Sequence, residues 1–339
     1  MRRTLYIPIF IIFLVATFGL PTVWAQMGFD FGTGGDGLSL KATPEIAGPN
    51  TNVRLSIESF STDLSRADIG WEVDGALVKK GLGETNFQTK TGDVGSTRTV
   101  KVTAQTKEGG ILVENITFRP GLVDIIWQAD SWTPPFYKGR GLATPKARIY
   151  AQAMPYMFDG KTRIATKNLS YEWFYDFEPM TTASGVGKNT LELEAPDLFG
   201  SKNLRVVVSS LNNRIVADNQ VNIFPVETLV LVWPNDPLLG IDYGHPTTND
   251  FSLLEDEVNF VAGGIYFPKS HVLSPGLTYK WTVNGKPATT DERRLNSLTI
   301  RKSEGGGEGR VNVDIYDPFD QIISSAKTFL IKAVSNNFQ

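Results

Sequence analysis

The stretch LTYKWTVNG at 277–285 has two earlier counterparts in the chain, LSYEWFYD at 169–176 and IGWEVDG at 69–75. In each, apolar and polar residues alternate around a tryptophan, the period-two pattern of a strand with one buried face. Trp71, Trp173 and Trp281 stand 102 and 108 residues apart, and a valine-rich strand follows each at nearly fixed distance: Val102 at +31, Val206 at +33, Val313 at +32. Another alternating strand precedes each tryptophan: Val53, Leu55 and Ile57; then Ala147, Ile149 and Ala151; then Val258, Phe260 and Ala262. A turn and one more strand close each phrase, at 111–118 after KEGG, 215–224 after LNNR and 322–331 after DPFDQ.

A repeat of about 100 residues is too long for a solenoid and suits one sandwich of about seven strands. The length of 339 residues exceeds what one hydrophobic core usually supports. No stretch beyond the first residues sustains helical periodicity. The expectation is an all-β chain of three tandem immunoglobulin-like β-sandwich domains, at 38–120, 121–226 and 227–335. The second and third share an aromatic lead-in, IIWQADSWTPPFYKGRG at 125–141 and VLVWPNDPLLGIDYGHP at 230–246, with Trp127 and Trp233 ending the first strand.

The Y-x-W strands at Tyr171 and Tyr279, each followed some thirty residues later by V-x-V and a turn, resemble bacterial immunoglobulin-like and polycystic-kidney-disease-type (PKD-like) modules over about residues 38–335. The lead-in at 125–141 resembles segments of exported multidomain bacterial proteins. The resemblance implies a sandwich fold and export, and brings no activity with it.

The N-terminus agrees with export. Met1, Arg2 and Arg3 form a basic start, residues 5–20 are apolar, and Val23-Trp24-Ala25 ends in small or short residues, the layout of a signal peptide over 1–25. An uncleaved anchor is the alternative, and membrane contact would then run through this segment alone. Residues 26–37, QMGFDFGTGGDG, read as a glycine-rich linker. Its G-x-G-x-x-G match has neither the strand before it nor the helix after it that a dinucleotide site requires.

The chain has no cysteine, which removes disulfides, thiolate metal sites and cysteine nucleophiles together. Its net charge is -3, and losing Arg2 and Arg3 with the leader makes it -5. That balance argues against nucleic acid as a partner. His245 and His271 are the only histidines, and no G-x-S-x-G elbow accompanies either. No catalytic residue and no cofactor is expected. Gly187-Lys188-Asn189-Thr190 evokes a phosphate loop, but a strand follows it, so it reads as a hairpin turn.

Two surfaces stand out. Oxygen-rich loops offer calcium ligands: Asp314, Asp317 and Asp320 around the last hairpin, and separately Asp236, Asp242 and Asp250 with Glu255, Asp256 and Glu257. Solvated acidic turns are the alternative. The loop at 132–140, WTPPFYKGR, joins two stiffening prolines to aromatics and cations, the make-up of a recognition surface or a sugar-stacking platform. Its candidates are Trp132, Phe136, Tyr137 and Arg140. Equally, the loop packs the first domain against the second. Phe174, outward on its strand, is either covered by a neighbour or free to bind. These features point to a non-catalytic extracytoplasmic scaffold presenting loops to a cell-surface, envelope or filament protein, with a carbohydrate-binding accessory module as the alternative.

Overall fold

The three tryptophans lie directly opposite the three valines. In a computed structural model that describes residues 37–273, 276–303, 306–320 and 322–333, Trp71 pairs with Val102, Trp173 with Val206 and Trp281 with Val313 across antiparallel strands. The export segment at 1–25 and the linker residues 26–36 lie outside the described residues.

Around each pair, two sheets enclose a separate cluster of buried side chains. In the first unit, Leu38–Thr43, Asn52–Ser59 and Asn86–Lys90 form one sheet. It faces another of Ala76–Leu82, Asp68–Val73, Arg98–Gln105 and Ile111–Phe118, in that order. In the second, Leu122–Ala129, Arg148–Tyr156 and Thr190–Glu194 face Leu169–Tyr175, Lys202–Ser210 and Val216–Ile223. In the third, Leu229–Asp236, Glu257–Ile265 and Ser297–Arg301 face Thr278–Val283, Gly307–Tyr316 and Ser324–Ala333. The first, second and fifth principal strands thus share one sheet, and the third, sixth and seventh the other. That is the immunoglobulin-like arrangement, and the fold is all-β. The third unit adds Asp250–Leu253, paired parallel to Ser324–Ala333.

One packing device recurs in all three cores. A buried indole N–H needs an acceptor, and each tryptophan finds it where the chain crosses between sheets. Trp71 Nε1 donates to the Glu84 carbonyl at 2.9 Å, Trp173 Nε1 to that of Lys188 at 3.0 Å, and Trp281 Nε1 to that of Leu295 at 3.1 Å. Each carbonyl lies two residues before the fifth principal strand, at Asn86, Thr190 and Ser297. The indole therefore fixes the register on its own sheet and the point where the opposite sheet resumes.

One expectation is corrected. The turn at 187–190 is not a hairpin: Gly185–Val186 pairs with the Trp173 strand, whereas Thr190–Glu194 pairs with Arg148–Tyr156 in the other sheet. Gly187, with φ +74°, makes the crossing. Trp127 and Trp233, alike in their lead-in text, face opposite ways. Trp127 faces Ala151, on the inward side of its partner strand, whereas Trp233 faces Val261 on the outward side while its neighbour Val232 faces the buried Ala262. A shift of one residue inverts the faces of a strand. Phe174 does point outward, half-buried, with the Arg205 guanidinium 5.8 Å from its ring centre and that guanidinium held by Asp218.

Candidate binding surfaces

The aromatic loop leaves the second unit's first strand and returns at Arg148. It packs against the third unit, where the sequence pointed to the first. Trp132 donates its backbone N–H to the Phe267 carbonyl and accepts from the Tyr266 N–H, both at 2.7 Å, and Lys269 N–H donates to the Asp130 carbonyl at 3.0 Å. These bonds make a short bridge between 130–132 and 266–269, the segment after the third unit's second principal strand. The Trp132 ring lies over Gly263, beside Trp233, where a Cβ on residue 263 would come within 3.3 Å of it and 2.8 Å of Trp233. Tyr243 closes the other side of Trp233, edge-on at 5.2 Å.

Polar contacts complete the seam. The fully buried Thr144 hydroxyl donates to the Tyr266 carbonyl at 2.7 Å, and Tyr266 is held at φ +62°. The hydroxyls of Tyr137 and Tyr266 lie 2.9 Å apart. Burial first, and then this contact, push the Tyr266 phenol up to about 12. Lys269 pairs with Asp130 at 2.9 Å. A hydrogen bond to Glu194 raises the Lys146 amine above its ordinary value, with smaller contributions of the same sign from Asp197 and, across the seam, Asp320.

Of the four loop candidates, Trp132 and Tyr137 are thus engaged in the seam. Phe136, in left-handed backbone at φ +64° after the two prolines, is 95% exposed. Arg140 turns back onto its own unit, its guanidinium carbon 3.8 Å from the centre of the Trp127 ring.

Arg140 there borders an open groove of about 600 Å³ on the outer face of the second unit's three-stranded sheet. Tyr150, Gln128, Gln152, Thr190 and Glu192 line it with Ile126 and Trp127. The sequence signal was present in Arg148–Tyr156, RIYAQAMPY, whose inward positions are Ile149, Ala151 and Ala153 while its outward positions include the exposed Tyr150, Met154 and Tyr156.

The acidic candidates do separate work. Asp317 is buried and bonded to His271 Nδ1 and to the Phe319 N–H, tying the short helix Lys269–Leu273 to the last turn. Burial raises the Asp317 carboxyl, but the bonds from His271 and from the Phe319 and Asp320 N–H groups outweigh it, and the net value lies below the ordinary one. Asp320 caps its turn through the Ile322 N–H at 3.1 Å, and Asp314 accepts from Asn312 at 3.1 Å. Asp236 accepts from the N–H groups of Leu239 and Leu238, which hold it below its usual value, as His245 does Asp242. Asp250 pairs with Lys332 and Glu257 with Arg301. Among the described residues, no three histidine or carboxylate side chains converge as a metal site would require.

No family model matches this chain, and no curated protein does. Solved structures similar to it include the three N-terminal domains of the bacteriophage RB49 Highly Immunogenic Outer Capsid protein (Hoc), at 11% identity and TM-score 0.27, over 88% of this chain and 97% of that one. Others are the Clostridium thermocellum CbhA fibronectin(III)-like modules (14%, TM-score 0.27, 55% and 94%) and the Bacteroides ovatus mixed-linkage glucan utilization locus protein SGBP-B, solved with a mixed-linkage heptasaccharide (11%, TM-score 0.22, 87% and 70%). The immunoglobulin-like assignment rests on strand order and register, not on superposition.

Proposed function

We propose that the protein is a non-catalytic extracytoplasmic binding scaffold: an array of three sandwich domains, at 38–120, 121–226 and 227–335, that presents loops to a protein on a cell surface, envelope or filament. The observation that carries this reading is the placement of exposed apolar side chains. Phe60, Phe136, Phe199 and Leu238 are each at least 95% exposed, and all four stand on connections between principal strands. Rigid scaffolds carry function on such loops, and large apolar tips left in water are expected where a partner covers them. The seam supports the same reading, because it holds the second and third units together and so fixes where their loops point.

Among the described residues no helix is long and apolar enough to cross a membrane. Export rests on the leader at 1–25. Crosslinking in the native envelope, followed by identification of the captured protein, tests the scaffold reading. A partner retained by the parent chain and lost on combining Phe136→Ser with Phe199→Ser is the expected result. Capture unaffected by that pair, or turnover of a substrate by the purified chain, overturns it.

A further inference from the structure

We infer that the groove beside Arg140 is a second binding site, for an oligosaccharide that carries a carboxylate. It goes beyond the loop-tip reading and is independent of it. The homologous outer face of the first unit carries Lys41, Arg54, Glu58 and Lys90 with Ser56 and Gln88 between them, whereas the second unit's carries the aromatic Tyr150 and apolar Ile126 beside the Arg148–Glu192 pair.

Size restricts the occupant. Three strands about 4.8 Å apart, of 8, 9 and 5 residues, make a face of at most about 10 by 30 Å. That is on the order of 300 Å², against about 800 Å² per partner in a stable protein interface. A groove of about 600 Å³ falls instead in the range of small-ligand sites, about 300–1,000 Å³. An extended peptide gains its main-chain hydrogen bonds at a sheet edge and not on a face.

Chemistry restricts it further. Tyr150 offers an aromatic surface for a sugar ring. Gln128, Gln152 and Thr190 each both donate and accept, which matches hydroxyls that do the same. Charge supplies the last element. Glu192 is neutralised by Arg148 at 2.6 Å, but Arg140 has no carboxylate partner among the described residues and only the Trp127 ring beneath it. The groove thus has one uncompensated cation, a guanidinium whose planar fork matches a carboxylate.

Calorimetric titration of the full chain tests the site with hexagalacturonate, uncharged cellohexaose and hexaglutamate as probes. Saturable binding of the hexagalacturonate is expected, weakened at least tenfold by Arg140→Gln and at least tenfold by Tyr150→Ala, with Phe136→Ala binding like the parent. Near-UV circular dichroism establishes that both groove variants keep the fold. Absence of binding, or binding that neither variant changes, overturns the proposal. So does cellohexaose binding as tightly as the acidic sugar, or hexaglutamate matching it. Partner capture retained in Arg140→Gln shows that the loop-tip reading stands or falls separately.

Discussion

Substituting Thr144→Val probes whether the second and third units act as one body. Thr144 is fully buried and its hydroxyl makes one bond, to the Tyr266 carbonyl at 2.7 Å. Valine keeps the shape and removes the donor, leaving a buried carbonyl without it. Such a loss costs about 1–3 kcal/mol, roughly a 5- to 150-fold shift toward separated units at 1.4 kcal/mol per tenfold. The partly exposed Lys269–Asp130 pair contributes only about 0–1 kcal/mol, so it offers little compensation. The native chain lacks cysteine, so spin labels at Lys161→Cys in the second unit and Lys286→Cys in the third report their separation without background. One narrow distance distribution is expected in the parent, and a broadened or second population in Thr144→Val, with the two units melting apart in calorimetry. Identical distributions and identical melting in both proteins would refute a seam held by this hydroxyl.

Three further outcomes follow from local geometry. Glu114 is buried on the inward side of its strand with Oε1 unbonded, so Glu114→Leu should stabilise the first unit by about 1–3 kcal/mol in urea unfolding; a loss of stability contradicts this. A Cβ at residue 264 would come within 2.5 Å of the buried Phe267 ring, so Gly264→Ala should cost the third unit about 1–3 kcal/mol, and an unchanged denaturation midpoint counts against that packing. Asp317 titrates below its ordinary 3.8 in the folded chain, so its contribution is present above pH 3.8 and is lost as pH falls through the lower folded value. Asp317→Asn should flatten this acid-side fall in the third unit, and an unaltered pH dependence would show that the carboxylate carries none of it.

The tryptophan-to-valine spacing named the actual cross-strand partners, because register in a half-buried sheet is set by alternation and alternation is written locally. The indole-to-carbonyl bonds were hidden, since the accepting backbone lies 13 to 15 residues away and leaves no side-chain mark. The seam was equally invisible. Trp132 meets Phe267 across 135 residues through backbone atoms, and nothing local in WTPPFYKGR says which neighbour it joins. The opposite orientation of Trp127 and Trp233 turned on a one-residue offset that similar lead-in text conceals. The groove was half legible: aromatic residues at the outward positions of RIYAQAMPY marked the face, but its unpaired cation arrives from a different loop.

The parallel strand Asp250–Leu253 covers the outer flank of Ser324–Ala333 at Leu330–Ala333, whereas Ile111–Phe118 and Val216–Ile223 each end their sheets. An outermost strand offers its backbone groups as a template for another chain. Ile111 and Val113 add exposed apolar surface to the first of these borders. The third unit offers a narrower version of that border, because a chain pairing along it would meet Asp250–Leu253 already seated at the Leu330–Ala333 end.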